Sequence, residues 1–274
     1  MKTILIATDF STVAHNALNY GVELAKSIGH SVTIVHVYQV PVAFADGPMV
    51  MVSLDDLRSA AEKQLERIKS DLRHVHGQEL RLYSEAILGN VAEELQKLAE
   101  KLDPFAVVMG ATGITGAQRV LFGSTTLSVI RKLTFPVIAV PDGKTFGHGI
   151  KKIGLACDFR NVVDTTPTRY IQAFQNTFKA ELHVLNVDYQ DREFRSDTPE
   201  QSLLLHTLLE GTKPIYHFIS EEDVEVAINR FAEENNLDLL ITIPKKHRLL
   251  EAIFRRSSTK RILREARVPV VGIH

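Results

Sequence analysis

Residues 109–126 read MGATGITGAQRVLFGSTT, with four glycines, one arginine and no acid, between an apolar run and an amphipathic segment. The spacing is Gly110-x2-Gly113-x9-Gly123-Ser124-Thr125. Glycine weakens helices and strands alike, so such a cluster marks a backbone that turns sharply or is closely approached. Backbone N–H groups in a glycine-rich turn and in the first turn of a helix carry partial positive charge, which suits phosphate oxygens. Ser124 and Thr125 would add hydroxyl donors. A carboxylate closes the first apolar run of the chain, ILIATDFS (4–11), where Asp9 is either a ligand-facing group or a helix-capping one. Read without a ligand, 109–126 is a long surface loop whose glycines serve turns and a cap.

Other chemistry is sparse. No GxxxxGK[ST] phosphate loop and no GxSxG nucleophile elbow occurs. Cys157 is read as an inert thiol ending a buried strand. Among eleven histidines the close sequence pair is His74 and His76 (HVH), expected at a solvent-facing helix end, while His36 and His183 fall in strands as structural residues. FGHG (146–149) has the wrong order for an HxGH element. Only Asp9 offers a general base for water.

The elements that must position these residues follow from composition and periodicity. The 274 residues fit one large domain or two ordinary ones, and 45% hydrophobic content supplies a core. A net charge of −1 gives no global case for nucleic acid or a membrane surface. A single cysteine excludes an internal disulfide framework and fits a reducing compartment. The opening apolar run is too short for a secretory segment and no stretch is long enough for a membrane helix, so a cytoplasmic protein is expected. Charge is segregated: residues 244–267 carry nine Lys/Arg against Glu251 and Glu265, a balance of +7 that leaves −8 on the remainder. That segment is either a solvated face neutralised by acidic neighbours or an anion site. Aromatics within it are limited to Phe254, which disfavours nucleic acid.

The chain repeats itself. FPV (135–137) falls on VPV (268–270) and Ser124 on Ser257 at an offset of 133, while ILIATDFS falls on IGLACDFR (153–160) at an offset of 149. Asp9 therefore matches Asp158, and the second copy is 16 residues shorter between its second strand and the helix near 223–235. PDGKTFGHG (141–149) joins the copies. In the first copy, strands are expected at 2–8, 31–38, 79–88, 105–110 and 136–140. Helices are expected after Ser11 (Ala14, Ala17, Leu18, Gly21, Leu24, Ala25 and Ile28 on one stripe), over Leu57–Leu72, after Asn90 and from Ser124 to Leu133. This alternation predicts an α/β fold of two tandem doubly wound, Rossmann-like, five-stranded parallel-sheet domains: 1–142, a linker 143–149, and 150–274. Asp9, Val37 and Gly110 then share the rim at the carboxyl ends of the strands, where ligands bind in such folds.

On these residues the chain resembles a tandem member of the universal stress protein family. The family pattern G-x2-G-x9-G-[ST] is met by Gly110, Gly113, Gly123 and Ser124, and ILIATDFS, HVY (36–38) and PVIAVP (136–141) also match. The resemblance implies an adenine-nucleotide (ATP or AMP) binding stress-response regulator with contacts at Thr8, Asp9, Val37, Gly110, Gly113, Gly123, Ser124 and Thr125. Magnesium or manganese would be held mostly by the phosphates. Val37 would meet adenine through its main chain. In the second copy Ile243, Lys246 and Arg256 replace the three glycines, so that site is expected to be degenerate. An alternative is a slow ATPase or phosphotransferase using Asp9 and a divalent metal; a third reading makes DFST (9–12) a flavin phosphate site. Family members pair through their last strand, so the two copies are expected to pack as a pseudo-dimer. A homodimer and a protein partner are further expectations. Residues 39–54, with Pro, Gly and Met, are either a lid or an interface.

Overall fold

The computed structural model describes residues 2–40, 53–111, 123–188, 198–244 and 266–274. The first half runs β1 (Thr3–Ala7), α1 (Thr12–Ser27), β2 (Ser31–Tyr38), α2 (Leu54–His76), β3 (Leu82–Leu88), α3 (Val91–Leu102), β4 (Ala106–Gly110), α4 (Ser124–Lys132), β5 (Val137–Val140). The second runs β6 (Lys152–Ala156), α5 (Val162–Thr165), α6 (Thr168–Phe178), β7 (Glu181–Asp188), α7 (Thr198–Leu208), β8 (Ile215–Ser220), α8 (Val224–Glu234), β9 (Leu239–Thr242), β10 (Val270–Gly272). All these strands form one sheet in the order β3-β2-β1-β4-β5-β10-β9-β6-β7-β8. Within each half every neighbouring pair is parallel. The halves meet where β5 and β10 run antiparallel, so the two last strands cover each other's edges.

Helices on both faces make β1 (TILIA) apolar throughout. Ile4 and Ile6 pack with Ala17, Leu18 and Leu65 of α1 and α2, while Leu5 and Ala7 pack with Leu95 and Val129 of α3 and α4. The expected caps form: the Ser11 hydroxyl accepts from Ala14 N, and the Asn90 side chain accepts from Ala92 N and Glu93 N. Strand β3 begins at Leu82, three residues later than its apolar pattern predicts, because the ladder with β2 starts at Val32 opposite Leu82. The first helix of the second half is not continuous as α1 is. Pro167 lacks an N–H and Thr166 before it is extended, so α5 stops after four residues and α6 starts anew.

The halves are also joined off the sheet. The Phe105 ring lies 4.9 Å from Phe174 and 6.1 Å from Phe178, and the Tyr170 hydroxyl donates to Thr134 O at 3.3 Å. The connecting residues are anchored: Asn16 Nδ2 donates to the carbonyls of Pro141 and Lys144, both at 3.1 Å, and Phe146 is buried edge-on against Tyr20. Burial, with Asp238 nearby, raises the Tyr20 hydroxyl well above the usual phenol range. Gly272 allows α4 to lie on the junction, because a Cβ there would come within 2.5 Å of Ile130 Cγ2.

Strands β7 and β8 bring together a histidine pair that sequence spacing does not reveal. The His183 and His217 rings stack at 5.2 Å with Nδ1 of one 3.0 Å from Nε2 of the other. Phe231 lies against His217, and the Glu181 carboxylate is 3.5 Å from His183 Nε2. A hydrogen bond between two imidazoles needs one donor and one acceptor, so one ring is neutral. Burial, then His183, pushes the His217 pKa below its usual 6.5.

Two outcomes are expected. Gly272→Ala forces Ile130 to move and lowers stability by about 1–3 kcal/mol, read as a fall in the denaturant midpoint. The depressed His217 pKa means that its contribution is full above pH 6.5 and is lost as pH falls below that value. His76, depressed by burial and Lys26, acts in the same direction. Urea midpoints should therefore drop between neutral and mildly acidic pH, and His217→Phe should make that drop smaller.

Candidate functional site

The carboxyl ends of β2, β1 and β4 lie side by side, and chain connectivity turns in opposite directions from β1, the switch point at which ligands bind in open α/β sheets. Strand β1 ends as Thr8 N donates to Val35 O at 2.9 Å. The turn that follows is fixed atom by atom. Thr8 Oγ1 accepts from Phe10 N (3.0 Å), Asp9 Oδ1 accepts from Ser11 N (3.0 Å), and Ser11 Oγ accepts from Ala14 N (3.1 Å). Phe10 takes a left-handed φ of 64°, which costs an L-residue about 1–2 kcal/mol. Its ring packs on His36 at 4.2 Å, while His36 Nδ1–H donates to Thr8 O at 2.8 Å. The carbonyl partner assigns the proton to Nδ1. Asp9 thus makes a side-chain turn ahead of the helix, whose N-cap is Ser11.

Val37 is placed by strand alternation. Val35 O faces β1 and Tyr38 O, which accepts from Gly89 N, faces β3. Backbone groups alternate sides along a strand, so the N–H and C=O of Val37 point to the β1 side, beyond the last β1 residue. Its side chain packs toward the α3 and α4 layer.

Gly110 ends β4 and its carbonyl accepts from the buried hydroxyl of Thr126 at 2.9 Å. Ala111 O accepts from Gly123 N at 2.9 Å, so the chain leaves β4 and returns to α4 at one closed neck. Gly123 is the N-cap of α4 and has no side chain to cap the first-turn amides; that turn also holds no acid. Ser124 and Thr125 are exposed. Predicted residue Gly113 lies outside the described residues, as do Lys246, Arg256 and Ser257 and most of the basic segment 244–267. At the end of that segment Arg267 Nε pairs with Glu233 Oε1 at 3.0 Å, neutralised as a solvated face would be. Residues 41–52 of the 39–54 stretch are likewise outside.

The second half repeats the β1 turn with other atoms. Cys157 N donates to Leu185 O, Arg160 N donates to Asp158 Oδ1, and Phe159 has φ 49°. Cys157 Sγ replaces the Thr8 hydroxyl as acceptor for Phe159 N at 3.4 Å, and Asn186 Nδ2 replaces His36 as donor to the residue 157 carbonyl at 3.0 Å. Cys157 is half-buried one residue past β6, closer to the rim than a core thiol. Its proximity adds to burial in pushing the Tyr216 hydroxyl up to about 12. Sequence reasoning read His36 as a structural strand residue, in keeping with its tether to Thr8 O, and missed Asn186 and Phe10; the signal available was their matched positions in the repeat.

A mostly parallel sheet that is doubly wound twice, with helices on both faces, defines the class as a tandem Rossmann-like α/β protein. A profile of the universal stress protein family matches residues 1–141 and 149–274, and the chain belongs to that family. It is 30% identical over 146 residues to a universal stress protein of Methanocaldococcus jannaschii, spanning 52% of this chain and 84% of that one. A universal stress protein structure from Archaeoglobus fulgidus superposes over 98% of this chain and 97% of its own, with a TM-score of 0.74 at 18% identity, a likeness of fold. A universal stress protein solved in complex with cAMP aligns with 51% of this chain and 96% of its own, at 18% identity and a TM-score of 0.39. Among the described residues no helix is long and apolar enough to cross a membrane.

The His36 tether generates a prediction. His36→Leu removes the donor to Thr8 O and is expected to cost about 1 kcal/mol of stability. Hydrogen exchange should speed up at the amides of Phe10 and Ser11 and stay unchanged on β9.

Proposed function

We propose that the protein is a nucleotide-binding stress-response regulator with one working site, in a domain spanning 1–142, joined by a linker at 143–149 to a second domain at 150–274 that has lost the site. The observation that carries this reading is the start of α4, where Gly123 leaves the first-turn amides without a side-chain cap, at a rim that also receives the main chain of Val37. Phosphate oxygens fit the first of these, since an uncapped helix start with no acid attracts anions. The edge of an adenine, with one donor and one acceptor, fits the N–H and C=O of Val37. Thr8, Asp9, Gly110, Gly113, Gly123, Ser124 and Thr125 complete the proposed contact set, with ATP or AMP as ligand. Any magnesium or manganese ion would be carried mostly by the phosphates.

The second half supports a degenerate site on two counts: Ile243 stands where Gly110 does and packs into the apolar cluster, and α5 is a single turn. Binding is favoured over hydrolysis because Asp9 Oδ1 is engaged by the Ser11 amide in the turn. A partner protein would read the occupied and empty states, inside the cell.

Calorimetric titration of magnesium ATP tests the reading. The wild type should bind one equivalent, and Gly123→Arg none. Gly123 has φ −60°, so the substitution adds a bulky cation without backbone strain. Two equivalents would show that the second half retains a site, and none in the wild type would reject nucleotide binding. Steady phosphate release abolished by Asp9→Ala, with binding retained, would instead establish an ATPase.

A further inference from the structure

The two ends of the sheet are β3 and β8, and they are finished differently. Along β3 runs the 23-residue α2, and Glu85 and Ser84 of the strand meet Lys101 and Glu66. The corresponding helix α7 has 11 residues, a consequence of the shorter connection in the second copy. Strand β8 reads IYHFIS, with no Lys, Arg, Asp or Glu, and Ile215 and Phe218 are 45% and 55% exposed. Among the described residues no strand pairs with its outer edge. Natural sheet edges are guarded by charge, proline or cover. Here the guards stand only at the ends: Lys213 and Pro214 before the strand, Glu221, Glu222 and Asp223 after it.

We propose that β8 is the docking edge for a second copy of this chain, paired antiparallel about a two-fold axis with His217 opposite itself. The end charges select that register. It sets Ile215 opposite Ile219 and Tyr216 opposite Phe218, so like apolar groups meet along the ladder, and it brings Lys213, which turns at φ 49° just before the strand, to the end that carries Glu221 of the second copy, where Glu221 also meets Arg230 of its own chain. Moving the axis to Phe218 would put Ile215 opposite Glu221, and moving it to Tyr216 would put Lys213 opposite Ile219. Pro214, without an N–H, confines the ladder to 215–219. An isologous contact of this kind uses the same edge on both copies and therefore closes at two.

Sedimentation of the full chain over micromolar to submillimolar concentrations tests this. The wild type should show a concentration-dependent monomer–dimer equilibrium, and Ile215→Lys should be monomeric with unchanged circular dichroism. Lys213→Glu, at an exposed turn where folding is not at stake, should raise the dimer dissociation constant about tenfold at low salt and less at high salt. A wild type that stays monomeric overturns the proposal, as does a dimer that both variants leave intact.

Discussion

Val270, Val271 and Gly272 lie antiparallel to Ala139, Ile138 and Val137, and the joining of the two halves into one sheet depends on those three pairs. A five-stranded parallel sheet ends in a fully buried apolar strand, VIAV in one half and VVG in the other. Left alone, each would present unpaired amides and carbonyls beside exposed valines, both unfavourable in water. Pairing satisfies the backbone groups of both strands at once and merges two cores into clusters that run across the halves. The junction is short, so its geometry has to be held from outside the sheet. Phe105 against Phe174 does this on one side, and α4 seated over Gly272, with His274 Nε2–H donating to Ile130 O at 2.6 Å, does it on the other.

Much of this was legible in the residues. Apolar runs of strand length, a helical stripe after Ser11 and an asparagine before VAEELQKLAEKL gave elements and caps that the structure reproduces, because each rests on a local rule. The repeat, with its matched prolines at 136 and 269, gave the tandem organisation. What escaped were features set by two elements at once. His36 and Thr8 are far apart in sequence, and only the register of β1 against β2 brings ring and carbonyl together. The same holds for His183 and His217. Thr126, rather than its neighbours, turns its hydroxyl onto the Gly110 carbonyl because helix phase points it inward, a matter of tens of degrees that composition does not encode. Pro167 was visible in the sequence, and its cost to the helix is a local rule.

The two halves have diverged in chemistry while keeping geometry. A residue with a left-handed φ, an acidic residue accepting from the amide two positions on, and a side-chain donor holding the preceding carbonyl occur in both. The donor is an imidazole in one and an amide in the other, and the acceptor is oxygen in one and sulfur in the other. That turn is therefore a requirement of the fold, needed to launch a helix from the end of a central strand. The glycine neck is not such a requirement, since Ile243 stands in place of Gly110 and β9 still pairs with both neighbours.

The segment between the halves is held by Asn16 through two carbonyls and by the buried ring of Phe146. Covalent connection fixes the local concentration of one half beside the other, so dilution does not separate them. In a symmetric pair of identical chains, any substitution occurs twice and is tested at both positions together. Here a residue at 243 can drift while glycine is kept at 110, and inheritance of the two rims is uncoupled.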